Sequence, residues 1–302
     1  MSGLAWIAVD WGTSHLRVWL MADDGSVLDR KECDQGMGRL TAADYERVLL
    51  EQVGAALPES GQIPVIVCGM AGSRQGWREA PYASTPCEAP SLAQATQVAT
   101  ADARLDVRIL PGIKQERPAD VMRGEETQIA GFLAQEPDFD GVLCLPGTHN
   151  KWVHISAREV VSFRTFMTGE LFALIGGQSV LRHSLGDDGW DDAAFLDAVS
   201  QGMSHPAALG CDLFALRAES LLQGLSPATA RARLSGQLIG MELTASRPYW
   251  LGQDVVVLGE SGIAGAYMKA LDAQGAMPRS VSAADITLRG LTAAFETLKE
   301  TK

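Results

Sequence analysis

Long apolar runs are missing from this chain of 302 residues. The longest, such as Gly141–Leu145 and Val255–Leu258, fall far short of the roughly 20 residues that cross a bilayer, so no membrane partner is expected. The first ten residues lack a basic region and reach an acid at Asp10, which is not the pattern of a signal peptide. The five cysteines (Cys33, Cys68, Cys87, Cys144 and Cys211) are odd in number, scattered and without a C-x-x-C pair. That argues against a disulfide framework and a structural zinc site, and for reduced, largely buried thiols in a cytoplasmic protein. No basic block offsets the net charge of −12, so nucleic acid is not an expected partner. A single nucleotide is not excluded, because local backbone N–H groups and Mg²⁺ hold it rather than the global field. The P-loop and G-x-G-x-x-G patterns are both absent, which counts against P-loop kinases and Rossmann oxidoreductases.

What is present is the composition of a globular protein, 46% apolar and 21% charged, with length enough for two domains. Trp6–Asp10 and Arg17–Met21 read as strands, Asp23-Asp24-Gly25 as a turn and Val27–Cys33 as a third strand. Ala42–Ala56 reads as an amphipathic helix, Ile63–Cys68 as a strand running into Gly69-Met-Ala-Gly72, Ser91–Ala103 as a helix and Val107–Leu110 as a strand. A helix over Glu125–Gln135 follows, and then the opening pattern returns in the strands Val142–Leu145, Lys151–Ile155 and Val160–Met167. A shift of 135 positions lays Gly147-Thr148 on Gly12-Thr13 and Val153 on Val18, and it matches turns as well as letters, the sign of an internal duplication. Helices over Asp191–Gln201, Cys211–Leu222, Pro227–Ser246, Gly262–Gln274 and Ala284–Lys299 alternate with strands at Asp254–Leu258 and Arg279–Val281. The expectation is an α/β protein of two related lobes, 1–115 and 116–302, with mixed sheets around an interdomain cleft and the final helix packing back on the first lobe.

Three segments suit a nucleotide. Asp10-Trp-Gly-Thr-Ser-His-Leu-Arg17 lies in the first hairpin, where Gly12, Thr13 and Ser14 let backbone N–H groups approach phosphate oxygens and Arg17 follows. Asp10, at the end of its strand, can hold Mg²⁺ through water. Leu145-Pro-Gly-Thr-His-Asn-Lys-Trp-Val153 makes a second such turn at Gly147 and Thr148, and the two hairpins would clamp a triphosphate from both sides. Lys151 either reaches a phosphate or lies on the solvent face of its strand, and His149 either lines the site or satisfies local backbone. The third segment is a buried strand, then Gly259-Glu260-Ser261-Gly262, then a helix whose N-terminus offers free N–H groups to a nucleotide.

These three elements occur in the order expected of the actin-like ATPase fold. Asp10-Trp-Gly-Thr with Trp19, the block Cys68–Tyr82, Met122-Arg-Gly-Glu-Glu-Thr-Gln128, Leu145–Val153 and Phe163-Arg-Thr-Phe-Met-Thr-Gly-Glu-Leu171 resemble the 2-dehydro-3-deoxygalactonokinase family. The blocks cover most of the chain. The resemblance implies a fold of two duplicated ribonuclease H-like lobes and phosphorylation of the 6-hydroxyl of 2-dehydro-3-deoxy-D-galactonate by Mg-ATP, in galactonate catabolism. The expected partner is that small sugar acid, and a homodimer is left open. The rival readings are a phosphohydrolase of the same fold and a non-catalytic nucleotide sensor.

Phosphoryl transfer needs a carboxylate that orients the attacking hydroxyl and accepts its proton. Gly124-Glu-Glu-Thr-Gln-Ile-Ala-Gly131 is similar to the G-D-Q-Q-A-A block of glycerol and pentulose kinases, which puts Glu125 in the place of their Asp. Glutamate is one methylene longer, so Glu126 is a second candidate, and either carboxylate could instead complement a helix N-terminus. The anionic substrate calls for an arginine, from among Arg74, Arg78, Arg123 and Arg164, with Arg74 and Arg123 first. Met70, Ser73 and Trp77 follow the strand Ile63–Cys68, where such a sheet presents its ligand, and Trp77 either packs on the sugar acid or joins the core. Glu170, beyond the third strand of the second lobe, is a further candidate for nucleotide or substrate contact.

Overall fold

The computed structural model describes residues 3–89, 91–186, 188–259 and 262–300. Contacts group the chain into two compact units, Met1–Phe139 with Ser156–Ser162 and Ala283–Lys302, and Asp140–Ile155 with Phe163–Ser282. The first unit contains β1 (Leu4–Trp11), β2 (Leu16–Ala22), β3 (Val27–Cys33), α1 (Tyr45–Val53), β4 (Ile63–Gly69), β5 (Tyr82–Ser84), β6 (Cys87–Glu88), β7 (Thr96–Val98), β8 (Leu105–Ile109), β9 (Gly112–Gln115), β10 (Asp120–Met122) and α2 (Glu125–Gln135). The following elements are β11 (Gly141–Leu145), β12 (Asn150–Ser156), β13 (Glu159–Phe166), α3 (Thr168–Gln178), α4 (Asp192–Ser204), α5 (Leu209–Leu222), α6 (Pro227–Ala245), α7 (Arg247–Trp250), β14 (Val255–Leu258), α8 (Ile263–Asp272) and β15 (Arg279–Val281). The last helix, α9 (Ala283–Glu300), belongs to the first unit.

The first sheet has the order β3-β2-β1-β4-β8-β7, and the second carries β15-β14-β11-β12-β13. In both, an antiparallel meander of three strands is followed by strands parallel to its first member: β1 pairs β4, and β11 pairs β14. The same five-strand topology therefore occurs twice, as two ribonuclease H-like lobes of the actin-like class. The repeat is not uniform in register. Val9 faces Val18 in the first hairpin, whereas Cys144 faces Trp152 in the second. The second loop is one residue shorter, so with Val9 laid on Cys144 the counterpart of Val18 is Trp152 and not Val153.

Alternation along β1 explains how the first sheet is covered. Ile7, Val9 and Trp11 join one apolar cluster with α1 residues Tyr45, Val48 and Leu49. Trp6 and Ala8 point to the other face, where Leu291, Ala294 and Phe295 of α9 cover them. Phe295 stacks on Trp6 with ring centroids 4.4 Å apart. α9 in turn packs on α2, and this contact keeps residues 116–139 with the first unit, although a second lobe starting at 116 was expected from the sequence. In the second unit α4, α6 and α8 contribute Phe195, Val199, Ile239, Leu243 and Tyr267 to the cluster on β11 and β14.

The helix expected over Ser91–Ala103 does not form. A 3₁₀ turn at Leu92–Gln94 leads into β7, which pairs antiparallel with β8, and Val98 enters the core. The alternation Thr96-Gln97-Val98, with two β-branched residues, fits a half-buried edge strand better than a helix. α3 was not expected at all, and only Thr168 of its residues is buried.

α2 and α9 cross at backbone distance. A Cβ on Gly290 would lie 1.9 Å from the Thr127 carbonyl oxygen, and one on Gly131 would lie 2.0 Å from that of Ile286. Gly290→Ala is therefore expected to destabilise the protein by about 1–3 kcal/mol, the usual cost of overpacking, read as a lower thermal midpoint by circular dichroism. An unchanged midpoint would show that the two helices can part without cost.

Candidate active site

The first hairpin is braced from behind. The N–H groups of Met37, Gly38 and Gly36 donate to the carbonyls of Gly12 (3.0 Å), Thr13 (2.9 Å) and Ser14 (3.2 Å). In a trans peptide the C=O and the following N–H point in opposite directions. The N–H groups of Thr13, Ser14 and His15 therefore point away from residues 36–38, as a row of three consecutive donors. The Gly12 N–H itself is taken by the His15 carbonyl at 2.9 Å. A Cβ on Gly36 would come within 2.3–2.5 Å of the Thr13–Ser14 backbone, so the brace requires glycine there. Sequence reasoning missed this segment, whose only signal was Gly36-Met37-Gly38.

Asp10, next to last in β1, faces Arg17, whose Nη1 lies 3.5 Å from its carboxylate while Nε reaches Glu32 at 3.3 Å. Arg17 is thus engaged by two carboxylates. Burial raises the pKa of Asp10, Arg17 opposes that shift, and the charge of Glu125 adds to it. The Cys68 thiol lies 3.8 Å from Asp10, and burial pushes its own pKa well up. Beside them Gly124, at φ +105°, approaches Gly69 at the end of β4. Asp10, Cys68 and the start of α2 thus meet at the carboxyl ends of adjacent parallel strands, where open α/β sheets present ligands.

The two glutamates that open α2 have different surroundings. Each reaches back to a backbone donor: Arg123 N–H to Glu125 Oε2 at 3.0 Å, and Gly124 N–H to Glu126 Oε2 at 2.6 Å. Both therefore complement the helix N-terminus. Glu126 is 1% exposed, and burial together with the charge of Glu125 pushes its pKa up to about 8. Glu125 is only half-buried.

The arginines also separate. Arg74, Arg78 and Arg164 are exposed, and Arg74 lies 3.6 Å from Glu79. Arg123 lies over the Tyr82 ring at 4.3 Å and donates through Nη2 to the Ala80 carbonyl at 2.7 Å. Its Nε and Nη1 are buried without a hydrogen-bond partner. The loop after β4 folds on itself, with Trp77 N–H donating to Ala71 and Ala80 N–H to Gly72. Met70 is half-buried, and the buried Ser73 donates to the Met37 sulfur at 3.1 Å, which links this loop to the brace of the first hairpin. Trp77 joins the core, stacked on Tyr45 and edge-on to Trp11.

In the second unit a cavity of about 690 Å³ is lined by Gly147 and Thr148 of the second hairpin, the start of α3, α6 and the first turns of α8. Gly262 caps α8 at φ +102° and lines the cavity with Ile263, Gly265 and Ala266. Gly259 donates to the Val281 carbonyl at 3.1 Å, and Glu260 and Ser261 lie outside the described residues. Trp190, Phe172 and Arg231 also line this cavity, and nothing in the sequence marked them. Lys151 does not lie on the solvent face of its strand: it is 5% exposed, and its amino group donates to the His149 carbonyl at 3.1 Å. Glu170, in the first turn of α3, lies 2.6 Å from His149 and donates its N–H to the Thr148 carbonyl.

Among the described residues no cluster of three His, Cys, Asp or Glu side chains could cage a metal, and no helix is long and apolar enough to cross a membrane. The family model described as 2-keto-3-deoxy-galactonokinase matches residues 10–294. A Rhizobium meliloti (strain 1021) protein named probable 2-dehydro-3-deoxygalactonokinase is 42% identical over 95% of each chain. The Escherichia coli (strain K12) 2-dehydro-3-deoxygalactonokinase is 34% identical over 89% of this chain and 90% of its own. The crystal structure of a candidate 2-dehydro-3-deoxygalactonokinase from Sinorhizobium meliloti superposes with a TM-score of 0.89 at 41% identity, covering 97% of this chain and 96% of that one. A carbohydrate kinase from Novosphingobium aromaticivorans shares the fold alone, with a TM-score of 0.51 at 15% identity over 96% and 93% of the two chains. With a matching family model over nearly its whole length and two full-length relatives above 30% identity, this chain belongs to the 2-keto-3-deoxy-galactonokinase family.

Proposed function

We infer that the chain transfers the γ-phosphoryl group of ATP to the 6-hydroxyl of 2-dehydro-3-deoxy-D-galactonate, with Glu125 as the base. The observation that carries the choice of base is the contrast within the pair. Glu126 is sealed from solvent and holds its proton at neutral pH, whereas Glu125 is half-buried in the first turn of α2. An acceptor hydroxyl beside Glu125 passes its proton to that carboxylate as the hydroxyl oxygen bonds the γ-phosphorus and the bond to the β-phosphate oxygen breaks. Glu126 keeps the Gly124 backbone, and with it the start of α2, in place.

The nucleotide's base and ribose are assigned to the cavity of the second unit. Its phosphates are assigned to Gly147–Thr148 of the same unit, with Gly259 and Gly262 at the turn before α8, and the N–H row at Thr13–Ser14 is the phosphate-binding candidate of the first unit. Asp10 fits a magnesium ion by its chemistry: it is a hard carboxylate with 19% of its side chain exposed, and it feels the charge of Glu125. Magnesium needs only one or two carboxylates besides phosphates and water, so a full protein cage is not required. When bound it offsets charge on the transferring phosphates. Arg123, with two donors unmet, is assigned to the sugar-acid carboxylate.

A coupled assay of Mg-ATP with the galactonate and gluconate epimers tests the reading directly, and phosphate release independent of either acid would sink it. Glu125→Gln is expected to lower kcat by about 10²–10⁴-fold, and Glu126→Gln by less than about tenfold; the reverse order would move the base to Glu126. Arg123→Met should raise KM for the sugar acid and leave KM for ATP unchanged. The raised pKa of Glu126 also makes stability depend on pH. A carboxyl that keeps its proton in the fold up to about 8, against 4.5 for the free side chain, contributes stability fully below 4.5 and loses it as pH rises toward 8. The thermal midpoint of the wild type should therefore fall more between pH 5 and 8 than that of Glu126→Gln; parallel curves would show Glu126 ionised in the fold.

A further inference from the structure

The second unit holds a buried acid that the proposed reaction does not use. Glu242, on α6, is 1% exposed. Trp152 Nε1 donates to its Oε1 at 2.7 Å. Asn150 Nδ2 (2.9 Å), the Tyr267 hydroxyl (2.6 Å) and the Thr168 hydroxyl all donate to its Oε2. These partners come from β12, the first turn of α3 and α8, so one carboxylate ties three elements to α6. Two of them, α3 and α8, border the cavity together with α6 itself.

The tie to the second hairpin is directional. The Gly147 N–H can only donate and so takes the amide oxygen of Asn150, at 2.7 Å, which leaves the Asn150 NH₂ turned toward Glu242 Oε2. Glu242 thus holds the NH₂ end of Asn150, and Asn150 holds the first residue of the Gly147-Thr148 turn. The α3 end is held against the same turn, because a Cβ on Gly169 would lie 2.1 Å from the Gly147 carbonyl oxygen. The other titratable groups facing Glu242 are Tyr267 and Cys144, both with pKa values pushed well up by burial.

A buried carboxylate is rarely the most stable choice for a core, since apolar replacements of similar size are often neutral or better. What it supplies is fixed direction. We propose that Glu242 is a positioning residue for nucleotide binding, presetting the second phosphate hairpin through Asn150 and the start of α3 through Thr168. This rests on the reading that the hairpin and its cavity take ATP.

The test exchanges amide and acid. Glu242→Gln places two amides face to face, Asn150→Asp places two carboxylates face to face, and the double variant restores a donor opposite an acceptor. Each single variant is expected to raise KM for ATP about tenfold or more while KM for the sugar acid stays within about twofold, and the double variant should recover most of the loss, as a coupled pair does in a mutant cycle. Calorimetric titration with a non-hydrolysable ATP analogue provides a readout independent of turnover, and thermal midpoints establish that the variants are folded. If a single variant folds poorly, the double variant still decides: the proposal requires analogue affinity to return with the restored pair, and a double variant with the wild-type midpoint but without the wild-type affinity overturns it. Unchanged affinity in folded single variants overturns the proposal alone. Failure of the wild type to bind the analogue overturns the nucleotide reading and the proposal with it.

Discussion

The first unit depends on two helices that touch through their backbones. At Gly131 and Gly290 there is no room for a side chain, so the axis of α2 is set by direct contact with α9 rather than by interdigitating side chains. α9 is in turn fixed by Phe295 on Trp6 and by Leu291 and Ala294 over the β-sheet. The line of constraint runs from the sheet through α9 to α2, and Glu125 sits at its end. The carboxylate proposed as the base would gain from such a rigid support, because small displacements of a catalytic group cost rate steeply. The second unit uses the same device between α4 and α6, where a Cβ on Gly202, Gly236 or Gly240 would meet backbone at 2.3–2.6 Å.

Buried acids serve the two units in different ways. Glu126 is met by backbone N–H groups and the Thr127 hydroxyl, and burial with the charge of Glu125 outweighs them and pushes its pKa up to about 8. Glu242 collects donors from four side chains, and those hydrogen bonds oppose the effect of burial. Burial raises the pKa of both acids, and what sets Glu242 apart is that its donors come from three other elements, whose side chains it turns toward itself.

Much of the architecture was legible because it rests on local patterns. Period-two strands, turn residues at Asp23-Asp24-Gly25, and Gly-Thr in both hairpins marked the duplicated meander without any knowledge of contacts. The one-residue difference between the hairpins was hidden because only pairing partners reveal register. Ser91–Ala103 misled because its alanine content outweighed the short Thr-Gln-Val alternation, and α3 was missed because its glycines and apolar residues give no amphipathic face. In the site, adjacent glutamates could be read as candidates, but burial, which separates Glu125 from Glu126, is a property of the folded surroundings. The same holds for Gly36, Trp77 and Glu242, whose roles come from partners distant in sequence.

The position of α9 has a consequence for how the chain is made. Residues 283–300 complete the first unit, yet they follow the entire second unit in sequence. During synthesis the sheet face that presents Trp6, Ala8 and Ile66 emerges early and waits for its cover while residues 140–282 are added, a delay on the order of ten seconds at ordinary elongation rates. The second unit has all its own elements before the first can close. Order of folding is therefore inverted relative to order of appearance, and the apolar face of the first sheet is the surface that a nascent chain must keep from other partners in the interval.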